Sequence, residues 1–386
     1  MPDTLSPRER VRRALRHEEP DRVPLDLGGF QTGIHRRAYE DLLRYLGIAD
    51  EIRILDPVQQ IVAPCEAVLE RLRIDTRYLV AHGPQGFRSE IVRTERGGKA
   101  WQDLRDEWGV VWSMPEDQGL YMDITHHPLA HATLADLDRY PFPDGGDPTR
   151  FDGLRAEALA LRETPYAICT GIGGVVYEIC WYMRGLERWF MDLVENRAFC
   201  EALLDRTLQY WLDFYTGFLG AVGDLIDVVM IGDDLAGQGG PLFSPRLYRE
   251  IVKPRQKRLV QHIKGLTGAK VWYHTCGACA EYLPDLIDNG VDIVNPVQIS
   301  ARGMAPLALK ARFGRDLVFW GGGIDAQHVL PHATPEGVRE HVCRNIAAFK
   351  PGGGYVFNNV HNIQAGVPPE NVVAMYEAAY ACGEYA

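Results

Sequence analysis

Residues 270–295 read KVWYHTCGACAEYLPDLIDNGVDIVN, and the order of chemistry along them decides the fold. Lys270–His274 is a short apolar run with β-branched and aromatic residues, the signature of a strand. It breaks at a polar, glycine-containing turn. Cys279–Asn289 then shows helical periodicity, and Asp292–Asn295 is a second apolar run. Two strands joined through a helix lie parallel, with a right-handed crossover between them. The same beat recurs along the chain. Candidate strands are Val23–Leu27, Thr76–Val80, Tyr166–Thr170, Leu225–Ile231, Lys270–His274, Asp292–Asn295, Leu317–Trp320 and Tyr355–Phe357. Helix-period segments at Arg36–Leu46, Leu186–Phe218, Pro245–Lys264, Cys279–Asn289, Pro306–Phe313 and Pro335–Phe349 separate most of them. Eight such units predict a closed α/β TIM barrel, (β/α)8, with an open doubly wound sheet as the alternative.

Around that beat, the 386 residues suit one large barrel over 1–386 with insertions. Ser6-Pro7-Arg8-Glu9 is a capping box with Pro at the first helical position, predicting an N-terminal helix from Pro7 to Arg16 whose arginines form a solvated face. Between about residues 83 and 165 the beat fails. A small antiparallel hairpin set around Gly97-Gly98 is expected there, as an insertion between the second and third barrel strands. A formal charge of -11, with pI near 5.6, offers no electrostatic footprint for nucleic acid. No run approaches the roughly 18 apolar residues of a membrane span, and the N-terminus has no signal-peptide pattern, so a cytoplasmic protein is expected. The 8 cysteines lack framework spacing and are expected to be reduced thiols.

In barrels of this kind chemistry sits at the C-terminal ends of the strands. Here those ends carry glycine, amides, carboxylates, His and Cys. In an extended strand residues i and i+2 share a face, so His274 and Cys276 converge on one point. Zinc accepts such mixed N and S donors, and a catalytic zinc site takes three protein ligands with one position open. His361, beyond the eighth strand, is the first candidate for the third ligand; Cys279, completing C-x-x-C, is the second. Packed core residues are the bland alternative for each. Asp233 and Asp234 point opposite ways if extended, so one enters the cleft while the other caps or binds backbone. With Glu178 they are the candidate catalytic carboxylates. Glu178 reads equally well as a helix-start carboxylate. Gln238, Asn295, Gln298, Asn358, Asn359 and Gln364 supply amides suited to a polar substrate.

Four stretches taken together, RERVRRALRHEEPDRVPLDLGG (8–29), GDDLAGQGGPLFSPRLYREIVKPRQKRL (232–259), HTCG followed by LPDLIDNGVDIVNPVQ (274–277 and 283–298) and GGGIDAQHVLPHATPEGV (321–338), resemble the uroporphyrinogen decarboxylase superfamily. The resemblance spans nearly the whole chain. It implies a TIM barrel that often forms a homodimer. Within the superfamily the chain is most similar to the zinc-dependent methyltransferase branch, which moves methyl groups to or from a corrinoid. Members of that branch carry an H-x-C pair at the fifth strand, matched by His274 and Cys276, and a further, usually Cys, ligand near the eighth, where this chain has His361. The arginine-rich segment that follows the first strand in the decarboxylases reads Gly28-Gly29-Phe30-Gln31-Thr32 here. A polyanionic tetrapyrrole lacks its basic partners at that position.

The implied activity is zinc-dependent methyl transfer between a corrinoid (cobalamin) carried by a partner protein and a thiol, oxygen or nitrogen of a small molecule. Zinc there lowers the pKa of a bound thiol or stabilises a leaving heteroatom. A decarboxylase-like carboxy-lyase and a non-catalytic barrel that binds a ligand or a corrinoid protein are the competing expectations.

Overall fold

The computed structural model describes residues 3–171 and 176–385. Seven parallel strands form its central sheet: β1 Thr76–Leu79, β2 Ala167–Gly171, β3 Val228–Gly232, β4 Lys270–His274, β5 Ile293–Asn295, β6 Val318–Trp320 and β7 Tyr355–Val356. They are hydrogen-bonded in chain order from β1 to β7. The remaining expected strand, Val23–Leu27, first in the chain, makes a single parallel bridge, Leu25 to Phe357. Its backbone nonetheless joins both edges of the sheet. Phe357 N–H donates to Pro24 O (2.8 Å), Asp26 N–H to Phe357 O (3.0 Å) and Asp75 N–H to Leu25 O (2.8 Å). Pro24, which has no N–H, limits the segment to this sparse ladder. The result is the expected barrel.

Side-chain alternation then sorts two cores. Val271 and Tyr273 of β4 face the helix layer, whereas Trp272 faces the barrel interior with Met230, Ile293, Val318, Trp320 and Val356. Trp272 and Trp320 stack inside it with centroids 4.7 Å apart. Strands covered on both faces read as continuous apolar runs, which is why they were legible. Helix α1, Pro7–Leu15, closes the end of the barrel where the strands begin: Val11, Ala14 and Leu15 pack into the same inner core.

Two arginines correct the expectation of a solvated face on α1. Arg10 is fully buried and pairs with Asp21 and Asp75, while Arg8 donates to the carbonyls of Arg162, Thr164 and Tyr166. The helix lies against the barrel floor, so these two meet strand starts and loop carbonyls, whereas Arg13 and Arg16 stay part-exposed and pair with Glu9 at the surface. Asp75 also binds Arg22 (2.7 Å) and Leu25 N–H (2.8 Å). Asp75→Ala removes the one fully buried carboxylate that Arg10 and Arg22 share, leaving them Asp21 and Asp3, and we expect about 3 kcal/mol of destabilisation, read as a lower urea midpoint.

Three expected helices, Arg36–Leu46, Pro306–Phe313 and Pro335–Phe349, have those bounds. Others are interrupted. Leu186–Phe218 is two helices, Leu186–Glu195 and Arg197–Val222, parted where Asn196 leaves helical dihedrals. Pro245–Lys264 contains a π turn at Tyr248–Val252 just before Pro254, whose missing N–H cannot serve a regular ladder. Cys279–Asn289 begins as a 3-10 turn, Cys279–Glu281, and becomes α-helical at Leu283. The segment after β1 carries a four-stranded antiparallel sheet: Ile91–Arg96, Lys99–Arg105, Val111–Pro115 and Asp123–His126. Among the cysteines, Cys343 and Cys382 are disulfide-bonded with Cα atoms 5.4 Å apart, against the expectation of thiols throughout. Helices Pro335–Phe349 and Pro369–Cys382 pack together and bring the two residues, 39 apart in sequence, within reach. Among the described residues no helix is long and apolar enough to cross a membrane.

Candidate metal centre

At the C-terminal end of β4 the strand geometry brings His274 and Cys276 together, with Cys276 Sγ 3.4 Å from His274 Nε2. His361, from the loop after β7, joins them: one ligand atom from each of the three lies within 4.8 Å of the others. The two imidazoles meet edge to face, centroids 5.2 Å apart. Cys279 does not enter this group. Its Sγ lies 4.0 Å from Met304 Sδ, in the 3-10 turn that leads away from the mouth.

Asn295, the last residue of β5, sets the His274 ring. Its Nδ2 donates to Trp320 O (2.9 Å), which turns Oδ1 toward His274 Nδ1 at 2.6 Å. An amide oxygen can only accept, so Nδ1 carries the proton and the Nε2 lone pair is left for a ligand. Burial lowers the pKa of His274 to about 4, partly opposed by the Asn295 bond. The ring is neutral at physiological pH. For His361, burial and then the neighbouring His274 lower the pKa to about 3, opposed by Asp234. Burial, with Asp234 and Glu178 adding to it, raises the Cys276 thiol well above its ordinary value. Two neutral imidazoles and one thiol form a donor set that suits zinc, with three protein ligands rather than a closed four. The residues fit the metal, with one discord. His361 has φ of +65°, and its Nδ1 accepts Asn362 N–H at 2.8 Å. The neutral ring therefore carries its proton on Nε2, and ligation through either nitrogen opens the Asn362 contact.

The paired aspartates part as alternation requires. Asp234 Oδ1 accepts Cys276 N–H (2.7 Å) and faces the metal ligands. Asp233 is fully buried and accepts the N–H groups of Tyr177 (2.8 Å) and Glu178 (2.9 Å), and Gln256 Nε2 at 2.9 Å. It caps the start of helix Glu178–Arg184. Glu178 opens that helix and lies beside Asp234; burial, then the charges of Asp234 and Asp233, push its carboxyl well above the usual range. The remainder of the stretch 171–178 that precedes it, residues 172–175, lies outside the described residues.

Most candidate substrate amides hold the protein itself. Gln298 Oε1 accepts Gly277 N–H (2.8 Å), Asn358 Nδ2 donates to Asp26 O (2.8 Å), and Gln364 Nε2 donates to Tyr121 OH (2.9 Å). Gln238 is exposed on the hairpin Ala236–Gly237 and Gly240–Pro241. Asn359 is fully buried with neither amide atom hydrogen-bonded. One group went unforeseen. Asp26, buried inside the barrel, accepts from Thr76 Oγ1, Tyr78 OH (3.0 Å) and Trp320 Nε1 (2.8 Å). A lone acid inside the apolar run VPLDLG was the available signal.

The sequence matches the uroporphyrinogen decarboxylase (URO-D) family over residues 108–382. The chain belongs to that family. Uroporphyrinogen decarboxylase of Alkalilimnicola ehrlichii is 26% identical over 389 residues, covering 96% of this chain and 93% of the relative. The Psychromonas ingrahamii enzyme of the same name is 27% identical over 256 residues, 64% of this chain and 68% of its own. Among solved structures, a methyltransferase from Methanosarcina mazei superposes with a TM-score of 0.63 at 17% identity, covering 97% of this chain and 98% of the other. At that identity the likeness is one of fold.

Proposed function

We propose that the protein is a zinc-dependent methyltransferase that moves a methyl group between a corrinoid, carried by a partner protein docked at the barrel mouth, and a heteroatom of a small molecule. The observation that carries the reading is the cluster of His274, Cys276 and His361 at the C-terminal end of the barrel. When bound there, zinc supplies Lewis acidity to a thiol, oxygen or nitrogen. The protein's own groups do the rest. Asn295 holds His274 in the tautomer that presents Nε2. Asp234 fixes the backbone of Cys276. Glu178, beside Asp234, is placed to hold a proton near the reacting heteroatom.

The names of the sequence relatives favour a second reading, decarboxylation of a porphyrinogen. Charge argues against it. Segment 28–32 contains no arginine, and the cavity next to Glu178 is lined by Asp56, Asp106 and Glu107 with no basic residue among its described walls. A polyanion would be repelled there. We expect no coproporphyrinogen from uroporphyrinogen under anaerobic assay. Methylcobalamin with a panel of thiol and amine acceptors should instead yield cob(I)alamin, read by its absorbance. Porphyrinogen turnover without demethylation of the corrinoid would reverse the assignment.

A further inference from the structure

Beside the metal ligands lies a cavity of about 310 Å³, the size of a small-molecule site. Glu178 belongs to its wall and lies beside Asp234, whose carboxylate accepts the N–H of Cys276. The cavity is thus one side chain removed from the ligands. Its far wall comes from the segment between β1 and β2, which contributes Asp106, Trp108 and Trp112.

Two features of this cavity point to its ligand. The first is aromatic. Trp112 and Tyr182 stand edge to face, interplanar angle 78° and centroids 5.2 Å apart, so they form two walls at nearly right angles, and Trp108 and Trp211 add further rings. The second is uncompensated charge. Asp56 accepts Val58 N–H (2.8 Å), Gln59 N–H (3.3 Å) and Gln59 Nε2 (2.8 Å), all neutral donors. Asp106 likewise accepts the N–H groups of Trp108 and Val110 and Trp112 Nε1, at 2.9–3.0 Å. Glu107 has its own cation, Arg150. No Lys, Arg or His is among the described residues lining the cavity. Two half-buried carboxylates with neutral partners cost free energy that an arriving positive charge recovers, and desolvation holds both carboxyls above the usual range until it does.

Aromatic faces at right angles with carboxylates behind them recognise one ligand class above others: a quaternary ammonium, whose diffuse charge sits against the ring quadrupoles while its methyl groups fill an apolar space. We propose that this cavity binds a small methylated ammonium cation. The binding does not rest on the methyltransferase reading, because a quaternary nitrogen offers zinc no lone pair and none of the three metal ligands belongs to the cavity wall.

The test uses the tryptophans. Choline and its uncharged carbon isostere, 3,3-dimethyl-1-butanol, are titrated into the purified full-length protein at constant ionic strength, with quenching of tryptophan fluorescence as readout. We expect choline to bind at least about tenfold more tightly than the isostere, the factor that a desolvated cation–π contact supplies. Asp56→Asn keeps an oxygen for the two N–H groups and removes the charge. It should weaken choline severalfold and leave the isostere unchanged; Tyr182→Leu should weaken choline too. Equal affinities, no saturable choline binding, or an Asp56→Asn protein that binds choline as before would each overturn the proposal. Zinc content and corrinoid demethylation report separately on the methyltransferase reading, so the two can fail independently.

Discussion

Substituting His274 by Ala or Cys276 by Ser should take the purified protein from about one zinc per chain to almost none, with far-ultraviolet circular dichroism unchanged. Three ligands share one ion. A fully liganded structural zinc is held by roughly 10–16 kcal/mol, so a single ligand accounts for about 3 kcal/mol, or a hundredfold or more in affinity. Methyl transfer should fall at least in proportion. The fold should survive, because neither side chain supports the core: Trp272 and Tyr273 hold β4 on its two faces. Metal-free wild-type protein prepared without chelator would sink the reading.

The pH dependence of zinc uptake follows from the same groups. Both imidazoles are neutral above about pH 5, since burial lowers His274 to about 4 and His361 to about 3. They bind metal without releasing protons. The Cys276 thiol is raised by burial and must lose its proton to become a ligand. Below the thiol's pKa each unit of rising pH should strengthen zinc about tenfold, with a slope near one between pH 5.5 and 8. A slope of two would mean a second protonated ligand, the signature of Cys279. Cys276→Ser should flatten the curve.

The contrast between what was readable and what was not has a physical origin. β4 is legible because Val271–Tyr273, buried on both faces, is an unbroken apolar run between Lys270 and His274. The convergence of His274 and Cys276 is local, a consequence of two-residue alternation. Asn295 was chosen for its amide chemistry, but whether that amide faces a substrate or His274 depends on β5 lying beside β4, a relation between segments that spacing does not express. The burial of Arg10 is not readable within its own helix, because its partners, Asp21 and Asp75, lie 11 and 65 positions away. The Cys343–Cys382 bond was invisible for the same reason, since the second of its two helices, Pro369–Cys382, was not foreseen at all. Long-range pairing, not residue chemistry, separates the two groups.

The third ligand is where local and long-range information meet, and its test has the second large effect. His361 is held left-handed in a loop that Asn362 ties to the segment after Leu27: Asn362 Oδ1 accepts Gly33 N–H (2.7 Å) and Nδ2 donates to Phe30 O (2.9 Å). A non-glycine residue in that region costs on the order of 1 kcal/mol, and the loop maintains it while the ring faces His274. We expect His361→Ala to weaken zinc about a hundredfold, less the free energy no longer spent on opening the Asn362 contact; alanine keeps its Cβ and with it the left-handed strain. Cys279→Ser, whose sulfur packs against Met304, should change zinc binding by less than about threefold. X-ray absorption at the zinc edge separates the cases without mutagenesis: two nitrogen ligands and one sulfur from the protein support His361, one nitrogen and two sulfurs support Cys279. The second spectrum would require the 3-10 turn at Cys279–Glu281 to unwind toward the mouth. His361, released from the metal, would keep its Asn362 contact and its place 5.2 Å from His274, and proton transfer would become its role.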